Sequence, residues 1–255
     1  MRYVIPAVIA AAVVLLPFFL IFPGIAGKKK KAPFYGRNVA HRGLYEKDQS
    51  VPENSLAAFR AAAESGYGVE LDVQLSSDGE VMVFHDDDLG RVCGVDRSVC
   101  SQSYEELKKL RLSGTDESIP LFSEVLGLIN GRVPLIVELK NGKRNKELCR
   151  KTLDLLSGYN GDYCVESFNP MIVSWFRFHA PSVLRGQLAQ PAAEYVKTGM
   201  AKHTAFILGN LLFDFLARPQ FVAYRIGKKP PAVRFAEAAG AMKVAWTSHD
   251  ESNEE

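Results

Sequence analysis

The stretch Val69-Glu70-Leu71-Asp72-Val73-Gln74-Leu75 alternates apolar and polar residues, and this alternation predicts a β-strand. Residues two positions apart in a strand lie on the same face, so the side chains of Glu70 and Asp72 point to the same side. Two carboxylates held close together in a poorly solvated place need a cation or a proton. The stretch therefore predicts a charged site as well as a strand.

Strands and helices alternate on both sides of this stretch. The predicted strands cover residues 38–41, 69–75, 81–84, 135–139, 163–168, 183–189, 221–226 and 243–247. The predicted helices cover residues 52–65, 104–112, 121–129, 145–157, 170–179, 192–197, 203–217 and 232–239. This α/β pattern predicts a parallel sheet closed into a TIM-type (β/α) barrel. His85 follows Asp72 by only 13 positions, which is too few for a crossover helix, so we expect the barrel to be irregular between its second and third strands.

Charged and titratable residues occur where the predicted strands end. They are His41, Arg42, Glu70, Asp72, His85, Glu138 and Lys140. The carboxyl ends of the strands share one face of a (β/α) barrel, so residues that are distant in sequence can meet there. Three carboxylates around one centre suit a hard divalent cation such as Mg²⁺ or Ca²⁺ and do not suit Zn²⁺. The alternative is that these carboxylates form ion pairs with Arg42 and Lys140.

Several short motifs follow one another in a specific order. They are His41-Arg42-Gly43, Pro52-Glu53-Asn54-Ser55, Val69-Glu70-Leu71-Asp72, Asp78-Gly79, Val83-Phe84-His85-Asp86 and Ile136-Val137-Glu138-Leu139-Lys140. In this order they resemble the glycerophosphodiester phosphodiesterase family. Later segments agree with the resemblance: Glu166-Ser167-Phe168-Asn169-Pro170, Arg185-Gly186-Gln187-Leu188 and Trp246-Thr247. The resemblance spans residues 37–247 and implies a TIM-type barrel that carries a divalent-metal phosphodiesterase.

The resemblance also implies a role for the acids and the histidines. It assigns metal binding to Glu70, Asp72 and Glu138. It assigns proton transfer to His41 and His85, and we favour His41 as the base and His85 as the acid. One imidazole would remove a proton from the attacking hydroxyl while the other protonates the leaving oxygen.

Arg42 and Lys140 match the family positions that hold the phosphate. Arginine offers a planar fork to phosphate oxygens, and lysine offers a compact charge. The nucleophile stays open, because either water or the substrate's own glycerol hydroxyl, acting through a cyclic phosphate, would satisfy this arrangement.

Three other residues receive a structural interpretation. Glu53 and Asn54 are expected to cap the helix that follows them, with the alternative, implied by the resemblance, that they lie near the site. Glu166 is expected at the rim of the site. The resemblance also predicts one more strand after Trp246-Thr247, whereas residues 248–255 contain no apolar run. We expect either that the sequence is cut short or that the barrel lacks its closing strand.

The charge of the 255-residue chain is unevenly distributed. The formal net charge is +2, but residues 1–31 hold five cations and no acid, which leaves 26 basic and 29 acidic residues in the remainder. A nucleic-acid-binding protein would need an excess of cations on one face. The composition therefore argues against nucleic acid as a partner.

The segment Tyr3–Ile25 contains no charged residue. Its 23 residues would reach roughly 34 Å as a helix, enough to cross a hydrocarbon core of ~30 Å. We therefore predict an N-terminal transmembrane anchor over residues 1–27, a basic linker over 28–36 and the barrel over 37–255. The four lysines at 28–31 favour a single-pass protein with its catalytic domain in the cytoplasm. The alternative is a signal peptide that is cleaved before secretion.

These observations favour a metal-dependent enzyme that hydrolyses glycerophosphodiesters to glycerol 3-phosphate and an alcohol. A close alternative is a lysophospholipase D that acts on lysophospholipids in the membrane. A third hypothesis is a non-catalytic domain that binds phosphodiester head groups. A missing histidine or acidic ligand would indicate that third class, and none of these residues is missing from the chain.

Overall fold

The computed structural model describes residue 5 and residues 15–247. The chain forms two compact units. Of the described residues, the larger unit contains 28–167 and 182–184, and the smaller unit contains 5, 15–27, 168–181 and 185–247. Among the described residues, seven parallel strands alternate with helices along the chain, which confirms the α/β class and is consistent with a TIM-type fold.

The larger unit contains five strands. They are β1 (Val39–His41), β2 (Gly68–Leu75), β3 (Val81–Val83), β4 (Leu135–Leu139) and β5 (Tyr163–Ser167). Its α-helices are α2 (Lys28–Lys31), α3 (Leu56–Glu64), α4 (Gly90–Cys93), α5 (Tyr104–Leu107), α6 (Phe122–Ile129) and α7 (Asn145–Ser157). Single 3₁₀ turns cover Ala32–Phe34, Val99–Ser101 and Leu112–Gly114.

Strand β2 lies between β1 and β4, and all three run parallel. Every residue of β2 is buried, as expected for a strand covered on both faces. Strand β5 continues the sheet beside β4. Strand β3 instead pairs antiparallel with β2, with Val73 opposite Val83. The irregularity expected between Asp72 and His85 is thereby confirmed, because a turn replaces the crossover helix.

A long excursion, residues 84–120, separates β3 from α6. It contains α4 and α5 and the 3₁₀ turns at Val99–Ser101 and Leu112–Gly114. Its apolar side chains form a core with β3 whose buried members are Met82, Phe84, Leu89, Val92, Val99, Leu107, Leu112 and Ile119. The excursion is therefore held by its own packing, although its helices are short.

The smaller unit contains the strands β7 (Phe221–Arg225) and β8 (Met242–Trp246) and, apart from its first residue, β6 (Leu184–Ala189). Strand β7 pairs in parallel with both β6 and β8. The helices are α1 (residues 15–21), α8 (Pro170–His179), α9 (Ala192–Lys197), α10 (Lys202–Gly209), α11 (Asp214–Ala217) and α12 (Pro231–Ala238).

The single helix predicted over residues 203–217 is wrong. The chain forms α10 and α11 instead, and between them Leu211 takes the left-handed conformation with φ of 59°. Leu211 is buried in the core cluster that contains Val222 and Tyr224. Burial of the Leu211 side chain favours this bend over a straight helix, which would not place the leucine in the core.

The C-terminal part of the apolar N-terminal segment packs within the smaller unit. Ile21 belongs to a buried core cluster, and the ring of Phe18 lies 5.0 Å from that of Phe235. No helix in the described part of the chain is long and apolar enough to cross a membrane. Residues 1–4 and 6–14 of the predicted anchor, and residues 248–255 of the predicted closing region, lie outside the described residues.

Candidate active site

Three buried carboxylates meet in the larger unit. Glu70 and Asp72 alternate on β2, and the register of β2 with β4 places Glu138 opposite Asp72. One carboxylate oxygen from each of the three residues lies within 4.8 Å of the others. The structure thus brings together the three predicted ligands. Three carboxylates at one point supply the hard oxygen donors that Mg²⁺ and Ca²⁺ prefer, so the residues present fit such a cation.

The charges at this trio are strongly coupled. Burial, followed by the charges of Asp72 and Glu138, raises the pKa of Glu70 well above its ordinary value. Burial also raises the pKa of Glu138. Burial opposes ionisation of Asp72 too, but the charges of Lys140, His85 and Arg42 hold the pKa of Asp72 below its ordinary value. A cation bound among the three would allow all of them to ionise together.

Lys140 and Arg42 supply the positive charge beside the trio. The Nζ atom of Lys140 lies 2.9 Å from Oε1 of Glu138 and 3.3 Å from Oδ1 of Asp72. The Nε atom of Arg42 lies 3.6 Å from Oδ2 of Asp72, and the Arg42 backbone N–H donates to Glu70 at 2.9 Å. The ion pairs expected as the alternative are therefore present. Both cations therefore lie directly beside the carboxylates of the trio.

A tight turn positions His41 and Arg42 at the end of β1. Arg42 has φ of 58° and Gly43 has φ of 81°. A Cβ atom on residue 43 would lie 2.8 Å from Cβ of Ala58, so the approach of the turn to α3 requires glycine. The turn ends β1 at His41 and directs the Arg42 backbone N–H towards the trio.

The ring of His41 is partly buried and lies beside the acids. Its Nε2 atom is 3.9 Å from Oε2 of Glu70. Its Nδ1 atom finds no hydrogen-bond partner in the described part of the chain. Desolvation and the neighbouring charge of Arg42 lower the pKa of His41 to about 4. The imidazole is therefore neutral near pH 7, which is the form of a proton acceptor.

The ring of His85, which follows β3, has a different environment. Its Nδ1 atom lies 2.6 Å from Oδ1 of Asp86. Burial opposes ionisation of Asp86, but its hydrogen bonds with His85 and Arg91 hold the pKa of its carboxyl below the ordinary value. An ionised carboxylate accepts only, so Nδ1 of His85 is the donor and Nε2 is the ring nitrogen available for other chemistry.

Two residues given a capping role lie in the site instead. Ser55 is the N-cap of α3, where its side chain accepts from the Ala58 backbone N–H. Asn54 donates to Oδ2 of Asp72 at 2.9 Å, and Glu53 accepts from NH1 of Arg42 at 2.8 Å. The capping prediction for Glu53 and Asn54 is therefore wrong. Their occurrence within the family motif was the signal that pointed to the site.

Glu166 also differs from its prediction. It is only 5% exposed and lies opposite Glu138 in the register of β4 and β5, so it is not a rim residue. Burial and the charge of Glu138 raise the pKa of Glu166 well above its ordinary value. Its place outside the close trio leaves Glu70, Asp72 and Glu138 as the group that fits a metal.

Comparison with known proteins shows the family of the chain. The model of the Glycerophosphoryl diester phosphodiesterase family matches residues 41–255. A glycerophosphodiester phosphodiesterase of Caldanaerobacter subterraneus subsp. tengcongensis is 34% identical over 165 residues, which cover 60% of this chain and 66% of that protein. A lysophospholipase D of Homo sapiens is 30% identical over 164 residues, which cover 58% of this chain and 50% of that protein.

The fold has a solved counterpart as well. A phosphodiesterase from Oleispira antarctica, in complex with its product sn-glycerol-3-phosphate, matches with a TM-score of 0.69 and 25% identity. The match covers 86% of this chain and 87% of that structure. The shared fold therefore extends over both compact units.

Proposed function

Because the chain belongs to the glycerophosphoryl diester phosphodiesterase family, we propose that it hydrolyses glycerophosphodiesters to glycerol 3-phosphate and an alcohol. The observation that carries this proposal is the meeting of Glu70, Asp72 and Glu138 within 4.8 Å. Both histidines and both phosphate-binding cations of the family motifs accompany the trio in this chain.

The trio would hold one divalent cation, Mg²⁺ or Ca²⁺. When bound, such a cation would withdraw charge from a phosphate oxygen. Lys140 and Arg42 would then exchange part of their contact with Glu138 and Asp72 for contact with the substrate phosphate. Asn54 would keep Asp72 in place during this exchange, because its amide hydrogen bond to that carboxylate is independent of the cations.

Two imidazoles would move the protons. Neutral His41 accepts the proton of the attacking hydroxyl, from water or from the glycerol part of the substrate. In its doubly protonated form, His85 would donate the proton on Nε2 to the leaving alcohol oxygen and become neutral, while Nδ1–H stays on Asp86. The different environments of the two rings favour this assignment over the reverse one.

A lysophospholipase D activity is the second candidate. It is favoured by the human relative of that name and by the apolar N-terminal segment of this chain. The same residues would perform the same reaction on a substrate that keeps one acyl chain. Release of choline and lysophosphatidic acid from lysophosphatidylcholine distinguishes it from hydrolysis of glycerophosphocholine.

We also propose that the part of residues 1–27 that precedes the segment around Ile21 anchors the protein in a membrane, since Ile21 itself packs in a core cluster of the smaller unit. In this proposal residues 28–36 form a basic linker, and residues 37–255 carry the catalysis in the cytoplasm. The uncharged run Tyr3–Ile25 and the lysines at 28–31 support this arrangement. Secretion after cleavage of the N-terminal segment is the alternative. Sequencing the N-terminus of the mature protein tests both, because an intact Met1 contradicts secretion and a new N-terminus near residue 27 contradicts the anchor.

The activity is tested with the full chain in detergent and glycerophosphocholine as substrate. We expect glycerol 3-phosphate to form with Mg²⁺ or Ca²⁺ and its formation to stop with a chelator. Glu138→Gln should lose activity, whereas Glu147→Gln, which alters an exposed ion pair on α7, should keep it. Product formation that survives chelation and Glu138→Gln would refute the metal-dependent mechanism.

A further inference from the structure

Arg91 joins two parts of the candidate site. It lies on α4, within the excursion between β3 and α6. Its Nε atom donates to Oδ2 of Asp86 at 2.7 Å. Its two terminal nitrogens donate to the two oxygens of Glu53 at 2.9 and 2.6 Å. One guanidinium therefore spans two carboxylates that lie 33 positions apart in the sequence.

Each of these carboxylates contacts a residue with a proposed role in the reaction. The other oxygen of Asp86 contacts Nδ1 of His85 at 2.6 Å. Oε1 of Glu53 also accepts from Arg42 at 2.8 Å. A continuous chain of charged contacts thus runs from His85 through Arg91 to Arg42. We call these five residues the charge chain: His85, Asp86, Arg91, Glu53 and Arg42.

The geometry of the charge chain suits arginine specifically. A planar guanidinium can hold both oxygens of one carboxylate while its Nε–H serves another, whereas an ammonium group is a single point charge. The carboxylate of Glu53 is 6% exposed and has a guanidinium on each side. Burial opposes its ionisation, but the hydrogen bonds and charges of Arg91 and Arg42 hold the pKa of Glu53 below its ordinary value.

We propose that Arg91 is a positioning residue that fixes the orientation of His85 through Asp86 and of Arg42 through Glu53. This inference rests on the proposed phosphodiesterase function. Arg91 thereby fixes the position of the acid, His85, relative to the phosphate-binding residue Arg42. It takes part in neither proton transfer nor metal binding. The excursion therefore contributes Arg91 to the site in addition to His85 and Asp86.

The structure separates this role from a role in folding. The side chain of Arg91 is 50% exposed. Its helix is held by Leu89 and Val92, which are buried in the core of the excursion. Glu53, the buried partner of Arg91, also keeps its contact with Arg42 at 2.8 Å when Arg91 is replaced. Replacement of Arg91 should therefore leave the fold intact and alter the site.

The test compares Arg91→Lys and Arg91→Met with Arg97→Met in the full chain. Arg97 belongs to the same excursion but contacts the exposed Gln102. With glycerophosphocholine, we expect Arg91→Met to lower kcat by roughly 10–100-fold, as a slight misplacement of reacting groups does. Arg91→Lys should fall between Arg91→Met and the unmodified chain, and Arg97→Met should equal the unmodified chain. Equal kcat for Arg91→Met and Arg97→Met would overturn the inference.

A second substrate identifies which reacting group is displaced. The p-nitrophenyl ester of glycerol 3-phosphate releases an alcohol that needs no proton from an acid. If Arg91 acts by orienting the acid His85, the loss of kcat in Arg91→Met should be several-fold smaller with this ester. An identical loss with both substrates would overturn the role towards His85.

A spectroscopic measurement tests the inference without requiring enzyme turnover. In chains labelled with ¹⁵N-histidine, the ring signals of His85 are assigned by their loss in His85→Ala. At a pH where the ring is neutral, the unmodified chain and Arg97→Met should show His85 with its single proton on Nδ1. Arg91→Met should show a mixture of ring tautomers, and an unchanged spectrum would overturn the inference. An inactive unmodified chain would refute the proposed function, while this spectrum would still decide whether Arg91 orients His85.

Discussion

The two histidines are held in place by different means. His41 depends on the backbone: β1 ends there, and the turn at Arg42 and Gly43 packs against α3. Its ring lies near Glu70, and Nδ1 has no hydrogen-bond partner in the described residues. His85 depends on side chains, because Asp86 contacts its Nδ1 directly. The environment of His41 is thus dominated by desolvation, and that of His85 by its contact with a carboxylate.

This difference would allow two identical side chains to take the different roles proposed for them. Desolvation beside a cation keeps His41 neutral, whereas a hydrogen-bonded carboxylate fixes the tautomer and the direction of His85. Groups with the same intrinsic chemistry can thus take opposite roles, as acid and base, when their surroundings differ. Each of the following predictions tests one of the two histidines or a group that holds it in place.

The largest effect should come from removing either ring. We expect His41→Ala and His85→Ala each to lower kcat for glycerophosphocholine by about 10²–10⁴-fold, the usual contribution of a general acid or base. The two variants should differ with the p-nitrophenyl ester of glycerol 3-phosphate. His85→Ala should recover much of its rate because the leaving group needs no acid, and His41→Ala should not recover.

Steady-state kinetics with both substrates measures this difference. His203→Ala, in the exposed first turn of α10, is the matched control and should behave as the unmodified chain. Recovery by His41→Ala alone would reverse the assignment of acid and base. Turnover close to that of the unmodified chain in both alanine variants would remove the two-histidine mechanism.

A smaller effect should follow from weakening the partner of His85. Asp86→Asn keeps the shape of the side chain but removes the charge that holds Nδ1 and Arg91. We expect kcat to fall by roughly 10–100-fold, because the ring remains but its orientation is no longer fixed. Asp87→Asn changes the neighbouring exposed acid, whose backbone oxygen accepts from Val99, and should have no such effect. Equal rates for the two variants would show that His85 needs no carboxylate partner.

The regular parts of the fold were predictable because their pattern is local. The helices at 145–157, 170–179 and 192–197 and the strand at 135–139 have the predicted limits. The break between α10 and α11 was not predicted, because apolar residues dominate 203–217, although Gly209-Asn210 at the end of α10 is a local helix-stop signal. Only the position of the core decides that Leu211 turns inward.

The candidate site also has one part that could be predicted from the sequence and one part that could not. Glu70 and Asp72 share one face through strand periodicity, and the meeting with Glu138 follows from the common edge of parallel strands. The approach of Arg91 to Glu53 depends on how the excursion folds back. That contact joins residues with no common periodicity, so no local pattern could reveal it.

The dependence of His41 on the backbone turn can be tested by replacing Gly43. Gly43→Ala would place a Cβ atom 2.8 Å from Cβ of Ala58 and 2.9 Å from its carbonyl carbon. We expect a loss of roughly 1–3 kcal/mol in the free energy of unfolding, because a packed core resists added volume. Gly94→Ala is the matched control, since φ is also positive there but no atom lies within 4 Å of its Cβ position. Urea unfolding of both variants measures the difference, and equal losses would show that the contact with α3 is unimportant.

The smallest effect is expected from a moderate change of pH. With the pKa of His41 lowered to about 4, roughly nine tenths of the rings are still neutral at pH 5, whereas a ring with the ordinary pKa of about 6.5 would be only ~3% neutral. A base must be neutral to act, so its contribution to kcat/KM is lost as pH falls through the pKa of the folded protein. When the pH falls from 7 to 5, we therefore expect protonation of the His41 ring to lower kcat/KM by only about a tenth.

This expectation is checked by following the His41 ring signal by NMR alongside kcat/KM from pH 5 to pH 8. The chain unfolded in urea is the control, and there His41 should titrate near the ordinary value. A divalent cation at the neighbouring trio would lower the pKa of His41 further, because it adds positive charge beside the ring. A titration of the folded chain centred near pH 6.5 would mean that desolvation does not govern this ring. The proposed difference between His41 and His85 would then rest on the Asp86 contact alone.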